Sequence, residues 1–440
     1  MANFKHVLLI LVPFIFIEVT LFKLLPIDLE EKNIINEENN EEGDGRWGLC
    51  NTFPKKVKIE RMAIPTLNIT AFFLACTFQD DAIVITTFLE KMPPDLPLFN
   101  EIHHPFHAKN FKSVKLSITL EGDRNDVGEI ACDTPKSMSN SVVSFRCAPP
   151  AKSADMWLFK EIQSSKKITV YIRAQGMEYI DGVSLNLCNK KKRIHGTAMC
   201  TTYMSVAGRN WMDLYKQSIE YHRVIGVDKM IIFEHTEKHK AEFNKYYNGS
   251  DFVSRIQWPP LTSRPDLFYS VLPEGIANVT RECYDQTLIA TYCVLNSDYE
   301  WTFSMDMDEY IWNSQPNKPL LDIIEAETKG KSCLSLPTKV MLGNYTGSDK
   351  LVIEKNDYEC NIYNCGKTVY KSSETYGLNV HGGKTKNSGH ASKILYNLHF
   401  RGMYINRNPI NDTLCTQTDK YYKPYADIIW DAVDQLEGGH

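Results

Sequence analysis

"YEWTFSMDMDEYIW", residues 299–312, sets three carboxylates, Asp306, Asp308 and Glu309, in a run of Tyr, Trp, Phe, Met and Ile. A chain that buries such a run has to find a positive partner for its acids, because an unpaired buried carboxylate is costly. That partner could be an arginine, a cluster of backbone amides or a metal ion. Asp-x-Asp by itself arises often by chance. Its weight comes from what precedes it.

Upstream, "TAMCTTYMS" (197–205) reads as a strand. "NWMDLYKQSIEYHRVIG" follows, with Trp211, Leu214, Tyr215, Ile219, His222 and Ile225 at helical spacing and Gly226 placed to end the helix. "DKMIIFEH" is a second strand, "KHKAEFNKYYNG" a second helix closed by Gly249, and "DFVSRIQW" a third strand. "RECYDQTLIATYCVLN" (281–296) is a third helix, and "YEWTFSM" is the strand that delivers the chain to Asp306. Strands and helices alternating with short links predict a mostly parallel sheet flanked by helices. Ligands bind such sheets beyond the carboxyl ends of the strands, which is where the acids fall. Two Asp at i and i+2 can hold a hard divalent cation, Mn²⁺ or Mg²⁺. Such an ion can bridge a diphosphate and stabilise its charge as it leaves. An EF-hand is excluded, since its spaced acids, Gly and terminal Glu are missing.

The net charge of -5 and the short basic run Lys190–Arg193, read as a solvated linker, give no sign of nucleic-acid binding. Residues 1–6 precede an apolar run at 7–25, "VLLILVPFIFIEVTLFKLL", long enough at about 28 Å to span one hydrocarbon core. An uncleaved signal anchor is expected, with the body luminal; a cleaved signal peptide is the competing reading, against which no clear small-x-small cleavage site follows the run. The polar, acidic stretch within 26–63 reads as a stem. All 12 cysteines lie beyond the apolar run, and an oxidising compartment would let most of them pair, Cys132 with Cys147 and Cys360 with Cys365 being plausible local pairs. Sequons begin at Asn68, Asn248, Asn278, Asn344 and Asn411. Residues 64–189 hold short β-rich runs without long helical periodicity and read as a β-rich accessory domain, a sandwich.

"AMCTTYM", the helix and strand "WMDLYKQSIEYHRVIGVDKMIIFEH", and "YDQTLIATYCVLNSDYEWTFSMDMDEYIW" occur in this order over about residues 190–315. Together they resemble glycosyltransferase family 92, and 64–189 resembles that family's N-terminal region more loosely. The resemblance implies a GT-A-like glycosyltransferase domain, here 190–424 with a C-terminal tail at 425–440, in a type II membrane protein of the Golgi. It implies transfer of galactose, with inversion, from a UDP-sugar onto a glycan or glycoprotein acceptor. Carried over by position, Asp306 and Asp308 would hold the metal and diphosphate, and Glu309 would belong to the same site. Gln286 would face the donor, Tyr203 and Arg209 would border the nucleotide, and Glu234 would lie near the donor.

After 315 the chain departs from the family pattern. A further metal ligand is expected there, from His381, His390 or His399. His399 is preferred because "KILYNLHF" reads as a strand that could aim it inward. Inverting transfer also needs a general base, for which Asp427 and Asp431 are candidates without a spacing argument. The competing class is a membrane-anchored carbohydrate-binding protein with an inactive glycosyltransferase-like domain, against which the intact acid cluster counts. A hydrolase is a weaker reading, since acids two residues apart sit too close to straddle a glycosidic bond.

Overall fold

A computed structural model describes residues 57, 60–64, 69–79, 82–91, 114–120, 128–133, 136–137, 142–151, 153–174, 182–189, 193–202, 211–234, 240–258, 276–342, 358–360, 366–379, 382–400, 415–418, 420–421 and 425–438. Residues Trp47–His440 form one compact unit. The expected membrane span at 7–25 and the acidic stretch 28–46 lie outside the described residues. Among the described residues no helix is long and apolar enough to cross a membrane.

The β-rich region folds as two sheets. One runs in the order Glu60–Ile64, Ile69–Gln79, Ala82–Lys91, Val142–Cys147, Lys136–Ser137, with Cys188–Asn189 beside Ile69–Gln79. The other runs Ile130–Ala131, Val114–Leu120, Lys167–Ala174, Val183–Asn186. Phe73, Ile85, Ile118 and Val170 from the two sheets share a core with Leu158, Phe159 and Ile162. Those last three belong to a helix, Ser153–Ser164, and correct the helix-free reading of this region. Among its described side chains the buried ones are Leu158, Phe159 and Ile162, too short a pattern to show a 3.6-residue period among strands. Cys132 is bonded to Cys147 as expected, and Cys360 is disulfide-bonded.

The second region begins with β1 (Ile194–Thr202), α1 (Trp211–Val224), β2 (Lys229–Glu234), α2 (Lys240–Tyr247), β3 (Val253–Gln257), α3 (Ile276–Asn296) and β4 (Tyr299–Ser304). The alternation legible in the sequence is therefore real. Gly226 and Gly249 follow their helices with φ of 93° and 75°, the left-handed region that only glycine enters without strain. Strands β3, β2, β1 and β4 are neighbours in that order and all parallel. The chain thus steps outward from β1 to β3 and then crosses back to lay β4 on the other side of β1. That reversal opens a crevice at the carboxyl ends of β1 and β4. Met199, Met212, Tyr215, Ile219, Met230 and Phe303 form the core between α1 and the sheet. Each contributes roughly 1.5–3 kcal/mol by leaving water.

Beyond β4 the pattern changes. The chain continues through β5 (Glu309–Asn313), α4 (Leu320–Thr328), β6 (Cys333–Leu336), β7 (Thr338–Leu342), β8 (Tyr358–Cys360) and β9 (Lys367–Lys371). The hairpin β10 (Thr375–Asn379) and β11 (Gly382–Thr385) follows, then β12 (His390–Ala391), β13 (Leu395–Phe400), β14 (Cys415–Gln417) and α5 (Ala426–Gly438). β9 and β6 extend the first sheet, with β9 antiparallel to β4, so the sheet is mixed. A second sheet runs β5-β13-β7-β8-β14. Ile429 and Val433 of α5 pack with Leu214, Tyr221, Tyr310 and Phe400 beneath it.

Arg193, from the basic run, is not a solvated linker residue. It donates to the Ser297 and Leu295 carbonyls and to Gln79 Oε1, tying the β-rich region to the end of α3. Gln79 Nε2 donates to the same Leu295 carbonyl at 3.2 Å.

In the second sheet Glu359 accepts from Lys339 at 2.7 Å, Lys420 at 3.0 Å and Tyr421 at 2.6 Å. Burial pushes its carboxyl up, and hydrogen bonds from Lys339, Tyr421 and Lys420 more than reverse this, bringing the pKa down to about 2. A depressed carboxylate stabilises the fold above its unfolded pKa and loses that contribution as pH falls through its folded pKa. Glu359→Gln is therefore expected to lower stability by about 1–2 kcal/mol at neutral pH after solvent screening. In denaturant melts the difference should close between pH 4.5 and about 2. A pH-independent difference would mean the loss is one of packing.

Candidate active site

The turn between β4 and β5 builds the acid cluster. Met305 and Met307 are buried in the core under the sheet, while Asp306 is half-buried and Asp308 and Glu309 are buried. The Met305 N–H donates to the Cys200 carbonyl at 3.1 Å, fixing the chain as it leaves β4 beside β1. The alternation of Met and Asp gives the core its apolar side chains and leaves the acids at the strand end.

Two of the three acids meet a lysine. Lys367 Nζ lies 2.8 Å from Asp306 Oδ2 and 3.1 Å from Glu309 Oε2. Antiparallel pairing of β9 with β4, with Ser304 opposite Thr368, carries Lys367 to this point. Burial works against the Lys367 ammonium, but Asp306 and Glu309 outweigh it and the pKa is raised, so the lysine is charged. Glu309 is held on every side. Its Oε2 accepts the Asp306 N–H at 2.9 Å and its Oε1 accepts Asn397 Nδ2 at 3.1 Å, and Asn397 also donates to Thr338 Oγ1.

Asp308 differs. Both of its carboxylate oxygens are buried, Oδ1 has no hydrogen-bond partner among the described residues, and Oδ2 lies 3.3 Å from His399 Nε2. His399 reaches this place because β13 pairs with β5 in the register Glu309 opposite His399. Its Nδ1 is 3.6 Å from Glu309 Oε1. Burial disfavours the imidazolium, but Asp308 and Glu309 prevail and raise its pKa. A buried carboxylate with an orphaned oxygen beside an imidazole fits a divalent cation. The mixed pair suits Mn²⁺ better than the oxygen-selective Mg²⁺.

Asp306 does not close a three-ligand set with Asp308 and His399 among the described residues. The one convergence of three His and carboxylate groups within 4.8 Å there is His195, Glu300 and Glu325. It lies at the starts of β1 and β4, the far end of those strands from the acids, and is largely open to solvent.

A cleft opens where β1 and β4 end, lined by Thr201, Gln286, Ala290, Ser304, Asp306 and Lys367. Gln286, expected to face the donor, is thus beside Asp306. Glu234 is buried at the end of β2, paired with Arg255 of β3, and does not line this cleft. Tyr203, Arg209 and His381 lie outside the described residues. His390 is exposed on β12, and Asp427 and Asp431 are exposed on α5. Sequence reasoning missed Lys367 and Asn397. Lys367 opens "KTVYK" with no local motif, 61 residues from Asp306. Only strand pairing brings the two together.

Residues 195–381 match the family model described as Glycosyltransferase family 92. No curated protein matches the chain. Among solved structures, S. aureus TarS 1-349 is similar at 10% identity over 40% of this chain and 47% of that one, with a TM-score of 0.23. GalNAc-T7 with UDP, GalNAc and Mn²⁺ is similar at 10% identity over 56% and 50%, with a TM-score of 0.26. The chain spans about half the length of these two structures.

Proposed function

We infer from the match of residues 195–381 to the glycosyltransferase family 92 model that this chain is a glycosyltransferase, moving a sugar from a UDP-sugar to a glycan acceptor with the help of a divalent metal. The observation that carries this reading is the position of Asp306, Asp308 and Glu309 at the strand crossover, where Asp306, Gln286 and Lys367 line one cleft. Galactose as the sugar and inversion as the outcome are what the family resemblance implies. Two disulfides, Cys132–Cys147 and Cys200–Cys293, and an exposed Asn248 sequon support a secretory-pathway address. The apolar run at 7–25 supports a type II Golgi anchor.

Asp308 and His399 would hold the metal, which when bound supplies Lewis-acid neutralisation of the leaving diphosphate. The chain's own residues do the rest. In the transfer, an acceptor hydroxyl forms the new bond to the anomeric carbon, the bond to the diphosphate breaks, UDP departs with the electron pair, and the hydroxyl proton is released to solvent water. Lys367 brings positive charge to the wall of the cleft where that negative charge grows. Gln286 presents an amide to the donor from α3. Glu309, fixed by Asn397, Lys367 and the Asp306 N–H, orients the cluster and is too tightly held to be a moving base.

The test is UDP release by the unit Trp47–His440 across a panel of UDP-sugars, with Mn²⁺ or chelator and a mixed glycan pool. Metal-dependent release with one sugar, raised by acceptor, is expected. Glycan binding without UDP binding or release would replace this reading with the carbohydrate-binding one. Within the same assay, Gln286→Ala is expected to raise the donor KM about 10-fold with kcat little changed, the loss of one hydrogen bond to bound donor. An unchanged KM would remove Gln286 from the donor site.

A further inference from the structure

Lys367 belongs to no motif, yet it is the most completely enclosed cation of the site, with a side chain only 4% exposed. Two of the three N–H directions of its ammonium are spent on Asp306 and Glu309. Asp306 Oδ2, at 2.8 Å from that ammonium, can approach a divalent ion only by setting two positive centres beside one oxygen. Asp308 stands in contrast: among the described residues Oδ1 has no hydrogen-bond partner, and Oδ2 faces the His399 ring at 3.3 Å. The two Asp of one Asp-x-Asp are thus in different electrostatic states.

We propose that Lys367 is a positioning residue that withholds Asp306 from the metal in the donor-free protein, so that the free protein binds a divalent cation weakly through Asp308 and His399 and tight binding waits for the donor's diphosphate. The diphosphate brings the negative charge that the lysine has cancelled, and its oxygens supply ligands that Asp306 does not. Cation entry is thereby coupled to donor entry. This rests on the glycosyltransferase reading for the identity of the diphosphate, while the cation behaviour of the free protein stands on the ion-pair geometry alone.

Titration of the metal-free full chain with Mn²⁺, followed by electron paramagnetic resonance of the free ion, tests it without any turnover. Wild type should bind weakly, Asp308→Asn should lose binding, and Asp306→Asn should change it less than about 2-fold. Lys367→Met should tighten binding at least about 10-fold, and the gain should vanish in Asp306→Asn/Lys367→Met. UDP should tighten Mn²⁺ binding by wild type more than by Lys367→Met. The proposal is overturned if Asp306→Asn weakens wild-type binding as much as Asp308→Asn. It is overturned equally if a Lys367→Met protein that melts like wild type binds no tighter, or if neither protein binds Mn²⁺. Should Lys367→Met not fold, the Asp306→Asn comparison decides alone. If the Mn²⁺ pattern holds while UDP and UDP-sugars fail to bind, the transferase reading falls and the lysine inference stands.

Discussion

Asp308→Asn is expected to cut sugar transfer at least about 1000-fold, some 4 kcal/mol in the barrier, while the melting temperature holds or rises. The two halves of this result have one cause. Asp308 is 2% exposed, and among the described residues Oδ1 has no hydrogen-bond partner and Oδ2 faces His399 at 3.3 Å. A buried carboxylate answered by one imidazole is only partly compensated, and an amide of the same shape removes that desolvation cost. A residue kept at such a cost to stability is kept for a charge it must present to a ligand, and the loss of that charge falls on catalysis. Circular-dichroism melts and UDP release on the same preparation read both halves. A variant that melts far below wild type would make Asp308 a structural acid paired with His399. A stable variant that retains full transfer would remove it from the reaction altogether. Glu309→Gln should behave differently, because Glu309 is satisfied by Lys367, Asn397 and the Asp306 N–H, and its loss strands a buried ammonium.

Removing the Cys200–Cys293 bond by Cys200→Ala/Cys293→Ala is expected to cost about 4–5 kcal/mol of stability. The bond joins β1 to α3 across a sequence separation of 93, so it restrains a long loop of the unfolded chain. The Cys132–Cys147 bond closes a separation of 15, and its removal should cost about 1.5 kcal/mol less. Chemical denaturation of the two double variants gives the comparison directly. Function should follow the longer bond only. Cys200 lines the cleft, and α3 carries Gln286 on the same wall, so a loosened α3 should raise the donor KM. A loss below about 1 kcal/mol would mean that the packing of Leu288, Ile289 and Tyr292 against Ile231 and Phe233 holds α3 in place unaided.

The alternation of strand and helix from Ile194 to Ser304 was legible because each element carries its own period and its own stop signal. The glycines at 226 and 249 are examples, both at positive φ. The acids at 306, 308 and 309 were legible for a related reason. Carboxylates in an apolar run are a local contradiction, and local contradictions mark sites. His399 could be read as inward-facing from its strand, and the register Glu309 opposite His399 agrees. The short helix Ser153–Ser164 was not legible, since Leu158, Phe159 and Ile162, its buried residues among those described, make too short a pattern between strands.

By itself the sequence determined where the crossover strand ends and which acids stand there, since both follow from contacts along the chain. Only the tertiary structure decided what answers those acids. Lys367 comes from β9, His399 and Asn397 from β13, and each arrives through strand pairing across 60 to 90 residues. No composition or spacing encodes that pairing. The register is set by which faces of two sheets must be buried, and a slip of one residue would turn Lys367 away and leave Asp306 and Glu309 without their cation.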